Sequence, residues 1–101
     1  MYVSMSKFKA EIDDLPGTAR LASEAMLAWL QQIEGYRGLL ALVDEEGGSA
    51  CFVTFWDSEE AVVKTRASRA SLRDQMAATA GAEVTGTDEF TIVYSDGIQG
   101  A

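Results

Sequence analysis

Two neighbouring apolar segments, separated by a turn, place the tightest constraint on the fold of this chain. The first is YRGLLALVD, over residues 36–44, and the second is ACFVTFW, over residues 50–56. The link EEGGS contains two glycines, and a short glycine-bearing link between two apolar runs is typical of a β-hairpin. Both segments carry apolar residues at odd and at even positions. We therefore predict a hairpin that other structure covers on both faces.

The segments around the hairpin predict two helices and two more strands. A first strand is predicted over residues 2–10 and a last strand over residues 82–95. A helix is predicted over residues 18–32, with its first residue as the N-cap, and a second helix over residues 58–79. The first helix has one apolar stripe with helical spacing: Ala22, Ala25, Met26, Trp29, Leu30 and Ile33. The order β-α-β-β-α-β predicts a ferredoxin-like α+β fold, a four-stranded antiparallel sheet with two helices on one face.

The alternation of residues in the hairpin divides its apolar side chains between two faces. One face of the first hairpin strand carries Leu39, Ala41 and Val43, and the other carries Tyr36, Leu40 and Leu42; in the next strand Phe52 and Trp56 oppose Cys51, Val53 and Phe55. The alternative is one helix on each face, but both crossovers in this connectivity are normally right-handed, so we expect both helices to cover the same face. The second apolar face therefore predicts a homodimer in which two sheets pack against each other.

Composition excludes several classes of function. A net charge of −8 argues against nucleic acid and against anionic membrane surfaces as partners. The 101 residues are predicted to form a single domain, residues 1–101, and the single cysteine is compatible with the cytoplasmic location that we predict. The chain contains no His and no Asn, so histidine-based nucleophilic systems and histidine-ligated metal or haem are excluded within one chain. No cofactor and no metal are predicted.

The segment EGYRGLLALVDEEGGSACFVTFWDSEEA, over residues 34–61, has a glycine–aromatic–arginine–glycine start, a hairpin, a strand ending in Trp and a helix beginning Ser-Glu-Glu-Ala. In these features the chain resembles the antibiotic biosynthesis monooxygenase group of the dimeric α/β-barrel superfamily. The resemblance implies a dimeric α/β barrel and a cofactor-independent oxygenation of a small aromatic or polyketide-like compound. It also implies catalytic roles for Trp, Tyr and Arg, which are matched by type at Trp56, Tyr36 and Arg37.

The other candidate residues belong to a predicted pocket between the helices and the sheet. Its apolar members are Met26, Trp29, Phe52, Leu72 and Met76. The predicted inward stripe of the second helix contains Val62, Thr65, Arg69, Leu72 and Met76. A buried guanidinium in this stripe must be paired or face an anionic ligand. Alternatively, a rotated helix leaves Arg69 at the rim, paired with Asp57, Asp74 or a carboxylate of the partner chain. Trp56 has two interpretations as well, a packing residue of the core or a lining residue of the pocket.

Three hypotheses of function remain open. The first is an enzyme in which Tyr36, Arg37 and Arg69 steady a developing oxyanion while Trp56 shapes the pocket. The second is a non-catalytic, dimeric small-molecule-binding or stress-associated protein whose pocket holds a small apolar or aromatic ligand, and the absence of Asn and His favours it. The third is a purely structural role in which dimerisation leaves no cavity.

Overall fold

Four strands and two helices account for most of the chain in the computed structural model, which describes residues 1–98. In chain order the elements are β1 (Tyr2–Lys9), α1 (Leu15–Leu30), β2 (Tyr36–Asp44), β3 (Ser49–Trp56), α2 (Glu59–Ala80) and β4 (Glu83–Thr91). The strands form one antiparallel sheet in the order β2-β3-β1-β4. On one face of it, α1 lies over β2, and α2 lies over the other three strands. This confirms the predicted ferredoxin-like fold; residues 99–101 of the predicted domain lie outside the described residues.

Helix α1 has its N-cap at Asp14, four residues before the predicted cap Thr18. The Asp14 carboxylate caps it by accepting a hydrogen bond from the backbone N–H of Gly17, at 3.1 Å. Pro16 lies in the first turn, where a missing N–H removes no helical hydrogen bond. The prediction that Thr18 is the cap was wrong because it took Pro16 as a break before the helix, although this residue is favourable just inside a helix start.

Helix α2 has the ends that its sequence predicts. The Ser58 side chain accepts a hydrogen bond from the backbone N–H of Ala61 at 3.2 Å, and Glu59 and Glu60 lie in the positively polarised first turn. The helix closes on Gly81, whose φ of 71° is in the left-handed region that favours glycine. Neither helix is long and apolar enough to cross a membrane in the part of the chain that the structure describes.

The core between the helices and the sheet is centred on Trp56. This side chain is fully buried, at 0% exposure, and clusters with Leu30, Ala61 and Val62. The chain enters β2 close beside this cluster at Gly35, which has a φ of 94°, and a Cβ atom there would lie 2.8 Å from the Cβ of Ala61. Glycine is therefore required both for the backbone conformation and for the close approach to α2.

A β-bulge at the start of β2 alters the predicted division of faces. Tyr36 is opposite Trp56 and Gly38 is opposite Phe55, so Arg37 is an extra residue on this strand. The bulge places the Tyr36 ring against the indole of Trp56, in an edge-on contact with centroids 5.9 Å apart. The prediction that Tyr36 shares a face with Leu40 and Leu42 was therefore wrong, because simple alternation does not allow for a bulge.

The last strand is shorter than the predicted segment of residues 82–95. Strand β4 ends at Thr91, and one further backbone bond joins the N–H of Ile92 to the carbonyl of Met1, at 2.9 Å. Among the described residues no further pairing between β4 and β1 follows this bond, and Tyr94 is 82% exposed.

The sheet face opposite the helices, called the open face below, carries an apolar patch. By register, its apolar residues are Val3, Met5, Leu40, Leu42, Val53, Phe55 and Phe90. Leu42 is 50% exposed and Phe90 is 52% exposed, and neither helix covers them. The prediction that both faces of the hairpin are apolar is thus confirmed for β2 and β3.

Replacement of the α2 cap tests this description of the fold. We expect Ser58→Ala to lower the free energy of unfolding by about 1 kcal/mol, because it removes the acceptor for the Ala61 N–H. Ser68→Ala, on the exposed side of the same helix, should stay within about 0.5 kcal/mol of the wild type. Urea denaturation measures both. Equal values for the two variants would contradict the assigned cap.

Candidate functional site

A buried arginine joins α2 to the sheet. The side chain of Arg69 is only 13% exposed, as its place in the inward stripe predicts, so the alternative that it lies at the rim is wrong. Its Nη1 donates to Ser4 Oγ at 2.6 Å, and its Nη2 donates to the Val62 carbonyl at 2.6 Å. Its Nε donates to Thr65 Oγ1 at 2.9 Å. Nη2 also reaches Glu89 Oε2 at 3.3 Å. These bonds engage four of the five N–H donors of the guanidinium.

The same guanidinium contacts the central tryptophan. The Cζ atom of Arg69 lies 5.5 Å from the ring centroid of Trp56, within the range of a cation–π interaction. The indole Nε1 of Trp56 donates to Thr54 Oγ1 at 2.8 Å, so its acceptor is a side-chain hydroxyl and not a backbone carbonyl. Thr54 in turn reaches the Ser4 carbonyl at 3.5 Å, and Ser4 Oγ accepts from Arg69. The tryptophan and the arginine are thus held by one continuous polar network.

Glu89 is the carboxylate that compensates the buried charge. Arg66 binds it with two nitrogens, Nη2 at 2.6 Å from Oε1 and Nε at 3.1 Å from Oε2, and Arg69 is the second cation. The bonds from Arg66, with a smaller contribution from Arg69, lower the pKa of Glu89. Burial lowers the pKa of Arg69, and its bond to Glu89 opposes that change. The guanidinium remains charged because its ordinary pKa is far above neutrality.

A cavity of about 50 Å³ lies between the two helices and the sheet, beside Arg69. Its apolar lining includes every apolar residue predicted for the pocket, namely Met26, Trp29, Phe52, Leu72 and Met76. Arg69 and the hydroxyls of Ser4, Ser6 and Thr54 form its polar side. The structure therefore brings six of the nine predicted site residues around one space.

The three residues predicted to be catalytic lie elsewhere. Trp56 is sealed in the core beneath Arg69 and does not line this cavity. Tyr36 packs edge-on against Trp56, and burial raises the pKa of its phenol. Arg37 is exposed at the bulge and forms an ion pair with Asp57. Its hydrogen bond to Asp57 raises the pKa of Arg37. None of the three residues therefore lines the cavity.

An open cleft of about 460 Å³ between α2 and β4 continues the cavity. The two spaces share the lining residues Ser4, Ser6, Arg69 and Arg73. The sequence interpretation missed three of these, together with Glu89. The sequence did contain a signal for Ser4 and Ser6. These two serines flank Met5 in β1, so they share the face opposite to that of Met5. Their small side chains on the helix-facing side leave room for a long side chain from a helix.

The described residues offer no evident metal site. Within residues 1–98, no three side chains among Cys, Asp and Glu come together closely enough to hold a metal ion. The cavity lining contains hydroxyls, apolar groups and guanidinium groups. This lining suits an organic molecule that has both apolar and polar parts.

The pairing of Glu89 gives a prediction for stability against pH. Because the pKa of Glu89 is lower in the folded state, its contribution is present above the ordinary value of 4.5 and is lost as pH falls through the folded value. We expect Glu89→Gln to lower the free energy of unfolding by about 1–2 kcal/mol at pH 7. This difference should shrink towards pH 3 in urea denaturation. The exposed Glu24→Gln should change little at either pH, and a difference for Glu89→Gln that is independent of pH would contradict the pairing.

Comparison of the sequence with known families and curated proteins gives no match. The architecture is nevertheless shared by solved structures. A proposed antibiotic biosynthesis monooxygenase from Deinococcus radiodurans matches with a TM-score of 0.70 at 16% identity, over 99% of this chain and 100% of that chain.

Two further structures with this fold are named as oxygenases. SnoaB, a cofactor-independent oxygenase from Streptomyces nogalater, matches with a TM-score of 0.67 at 15% identity, over 93% of this chain and 94% of that chain. The monooxygenase from the gene ActVA-Orf6 of Streptomyces coelicolor, in complex with nanaomycin D, matches with a TM-score of 0.62 at 16% identity, over 99% of this chain and 92% of that chain. The chain thus has the fold of the antibiotic biosynthesis monooxygenase structures.

Proposed function

We propose that this chain is a cofactor-independent monooxygenase that acts on a small aromatic or polyketide-like compound. The observation that carries the proposal is the inter-helix cavity, in which apolar side chains and a buried guanidinium meet. The fold that the chain shares with SnoaB and the ActVA-Orf6 monooxygenase supports the type of reaction.

The lining of the cavity suggests how such a reaction proceeds. No carboxylate lines the cavity, and the nearby Glu89 is a weak base because its pKa is lowered. An acidic phenol or enol therefore loses its proton to solvent, and the charge of Arg69 stabilises the resulting anion. The anion transfers electrons to O₂ and forms a C–O bond. The resulting peroxide anion takes up a proton from solvent. Loss of water, which includes the hydrogen remaining on the same carbon, then leaves a carbonyl group, so one oxygen atom enters the product and the other leaves as water.

The size of the cavity requires some movement when the substrate binds. A volume of about 50 Å³ holds one or two water molecules, whereas a benzene ring occupies a cavity of about 150 Å³. Met26 and Met76, which have flexible unbranched side chains, stand on opposite helices across the space. We infer that these two side chains change rotamer to admit a ring, while the polar network of Arg69 stays in place.

Oxygen uptake with 1,8-dihydroxyanthrone tests the reaction. Below the pKa of the substrate, the protein-dependent rate should rise about tenfold per pH unit, because only the ionised form reacts. Arg69→Gln should lower the rate at pH 7 about tenfold or more and move the plateau to higher pH. Arg69→Lys, which keeps the charge, should retain more of the rate, and Arg20→Gln, at an exposed arginine of α1, should leave it unchanged. Uptake no faster than in protein-free buffer would overturn catalysis for this substrate.

The second candidate is a non-catalytic, dimeric protein that binds a small molecule, in a stress-associated or related role. The position of Tyr36, Arg37 and Trp56 outside the cavity lining favours it, as does the absence of Asn and His from the chain. Saturable binding of an aromatic compound without oxygen uptake would support this function over the first.

We also propose that the protein is a homodimer. The open face carries exposed Leu42 and Phe90 beside the central apolar residues Val53 and Phe55, and the helices cover only the opposite face. A second sheet packed about 10 Å away would cover this patch. The dimer leaves the inter-helix cavity on the outer side of each sheet.

Charge placed on the open face tests the dimer. The wild type should sediment as a dimer at micromolar concentration, and Leu42→Asp should sediment as a folded monomer, because the carboxylate would be buried in the interface. Leu21→Asp provides the matched control, since Leu21 is 69% exposed on α1 and lies outside the proposed interface. A wild-type monomer, or equal behaviour of the two variants, would contradict the proposal.

A further inference from the structure

Three of the five arginines of this acidic chain lie along one side of α2. Arg66, Arg69 and Arg73 all line the cleft between α2 and β4, although the net charge of the chain is −8. The spacing of three and four residues places them in one row along the helix. The cleft is therefore a region of concentrated positive charge on a molecule that is otherwise acidic.

The carboxylates of the cleft compensate only part of this charge. Glu89 is shared by Arg66 and Arg69. Asp88 also belongs to the cleft lining, but by register with Met5 its carboxylate lies on the open face, 3.4 Å from the Nζ of Lys7. The row of arginines thus exceeds the negative charge that faces it.

Arg73 differs from the other two arginines in its surroundings. It lines both the apolar cavity and the cleft, and its side chain is 23% exposed. Its ion pair is with Asp74, the next residue on the helix, whose side chain is 65% exposed. Such an exposed pair contributes little free energy, so a ligand can replace Asp74 at small cost. Arg69, by contrast, has four N–H donors engaged within the protein.

We propose that the ligand of this site carries an anionic group that Arg73 binds at the junction of cleft and cavity. The hydroxyls of Ser6 and Thr87, which are paired across β1 and β4, lie in the same lining and can donate to the anion. The apolar part of the ligand then extends between Met26 and Met76 into the cavity. The ligand class is an aromatic or similarly apolar carboxylate or related anion, and Arg73 determines the preference for it.

This inference rests on the proposed role of the cavity as a binding site, but it does not require oxygenation. Its test therefore uses two probes that have no anthrone-like position to oxidise, naphthalene-2-carboxylate and the neutral naphthalene-2-methanol. Trp29 lines the cavity, so its fluorescence reports binding, and calorimetry provides a second measurement. The wild type should bind the carboxylate about tenfold more tightly than the alcohol, the effect of one charge-assisted hydrogen bond at a partly exposed position.

Variants of Arg73 test whether this residue binds the anionic group of the ligand. Arg73→Gln should reduce the ratio of the two affinities to near one while binding of the alcohol is kept, and Arg73→Lys should preserve part of the ratio. Arg20→Gln is the matched control and should leave the ratio unchanged. Retained binding of the alcohol shows that Arg73→Gln is folded.

Several results would overturn the inference. They are equal affinities in the wild type, binding of neither probe, or an Arg73→Gln protein that keeps the preference for the carboxylate. Oxidation of the anthrone by a protein without this preference would overturn the anion site alone. A clear preference without oxygen uptake would instead support the anion site and overturn catalysis for that substrate.

Discussion

The burial of Arg69 between α2 and the sheet is the constraint on which the rest of the site depends. A guanidinium with so little exposure must have hydrogen-bond partners and a counter-charge, because an unpaired buried cation is very costly. Ser4 in β1 and Glu89 in β4 supply them across the sheet. The positions that face α2 here are therefore polar, in a layer that would otherwise be apolar. Because of these polar residues, the cavity has a charged side at Arg69 and an apolar side.

The two faces of the sheet have different roles in this account. The helix-facing side holds Trp56 in a sealed core and keeps the cavity and the cleft beside Arg69. The open face carries exposed apolar residues such as Leu42, and the Lys7–Asp88 ion pair lies on it by register. Ligand binding and association thus use opposite surfaces of one sheet. A substitution on the helix-facing side should therefore change ligand binding without changing association, and a substitution on the open face should do the reverse.

The sequence predicts the fold well because its apolar periodicity changes clearly between strands and helices. The sequence placed Arg69 in the inward stripe of α2 but left a position at the rim open. Helical spacing fixes a residue relative to its neighbours on the helix, and it does not fix the rotation of the helix against the sheet. Features that arise from local departures from regular strand geometry could not be predicted from the sequence. The bulge at Arg37 breaks the alternation that placed Tyr36 on the wrong face. The roles of Glu89 and Arg73 depend on where β4 lies beside α2, and no spacing within either element determines that distance.

The four methionines allow the most direct test of where a ligand binds. Met26 and Met76 line the cavity, Met5 lies on the open face, and Met1 is at the exposed N-terminus. We suggest NMR titration of the ¹³C-methyl-methionine protein with naphthalene-2-carboxylate. Because the ligand enters the cavity, we expect saturable shifts of the Met26 and Met76 methyl signals, with those of Met1 and Met5 unchanged. Shifts confined to Met5, or no shift of Met26 and Met76 at saturating ligand, would contradict it.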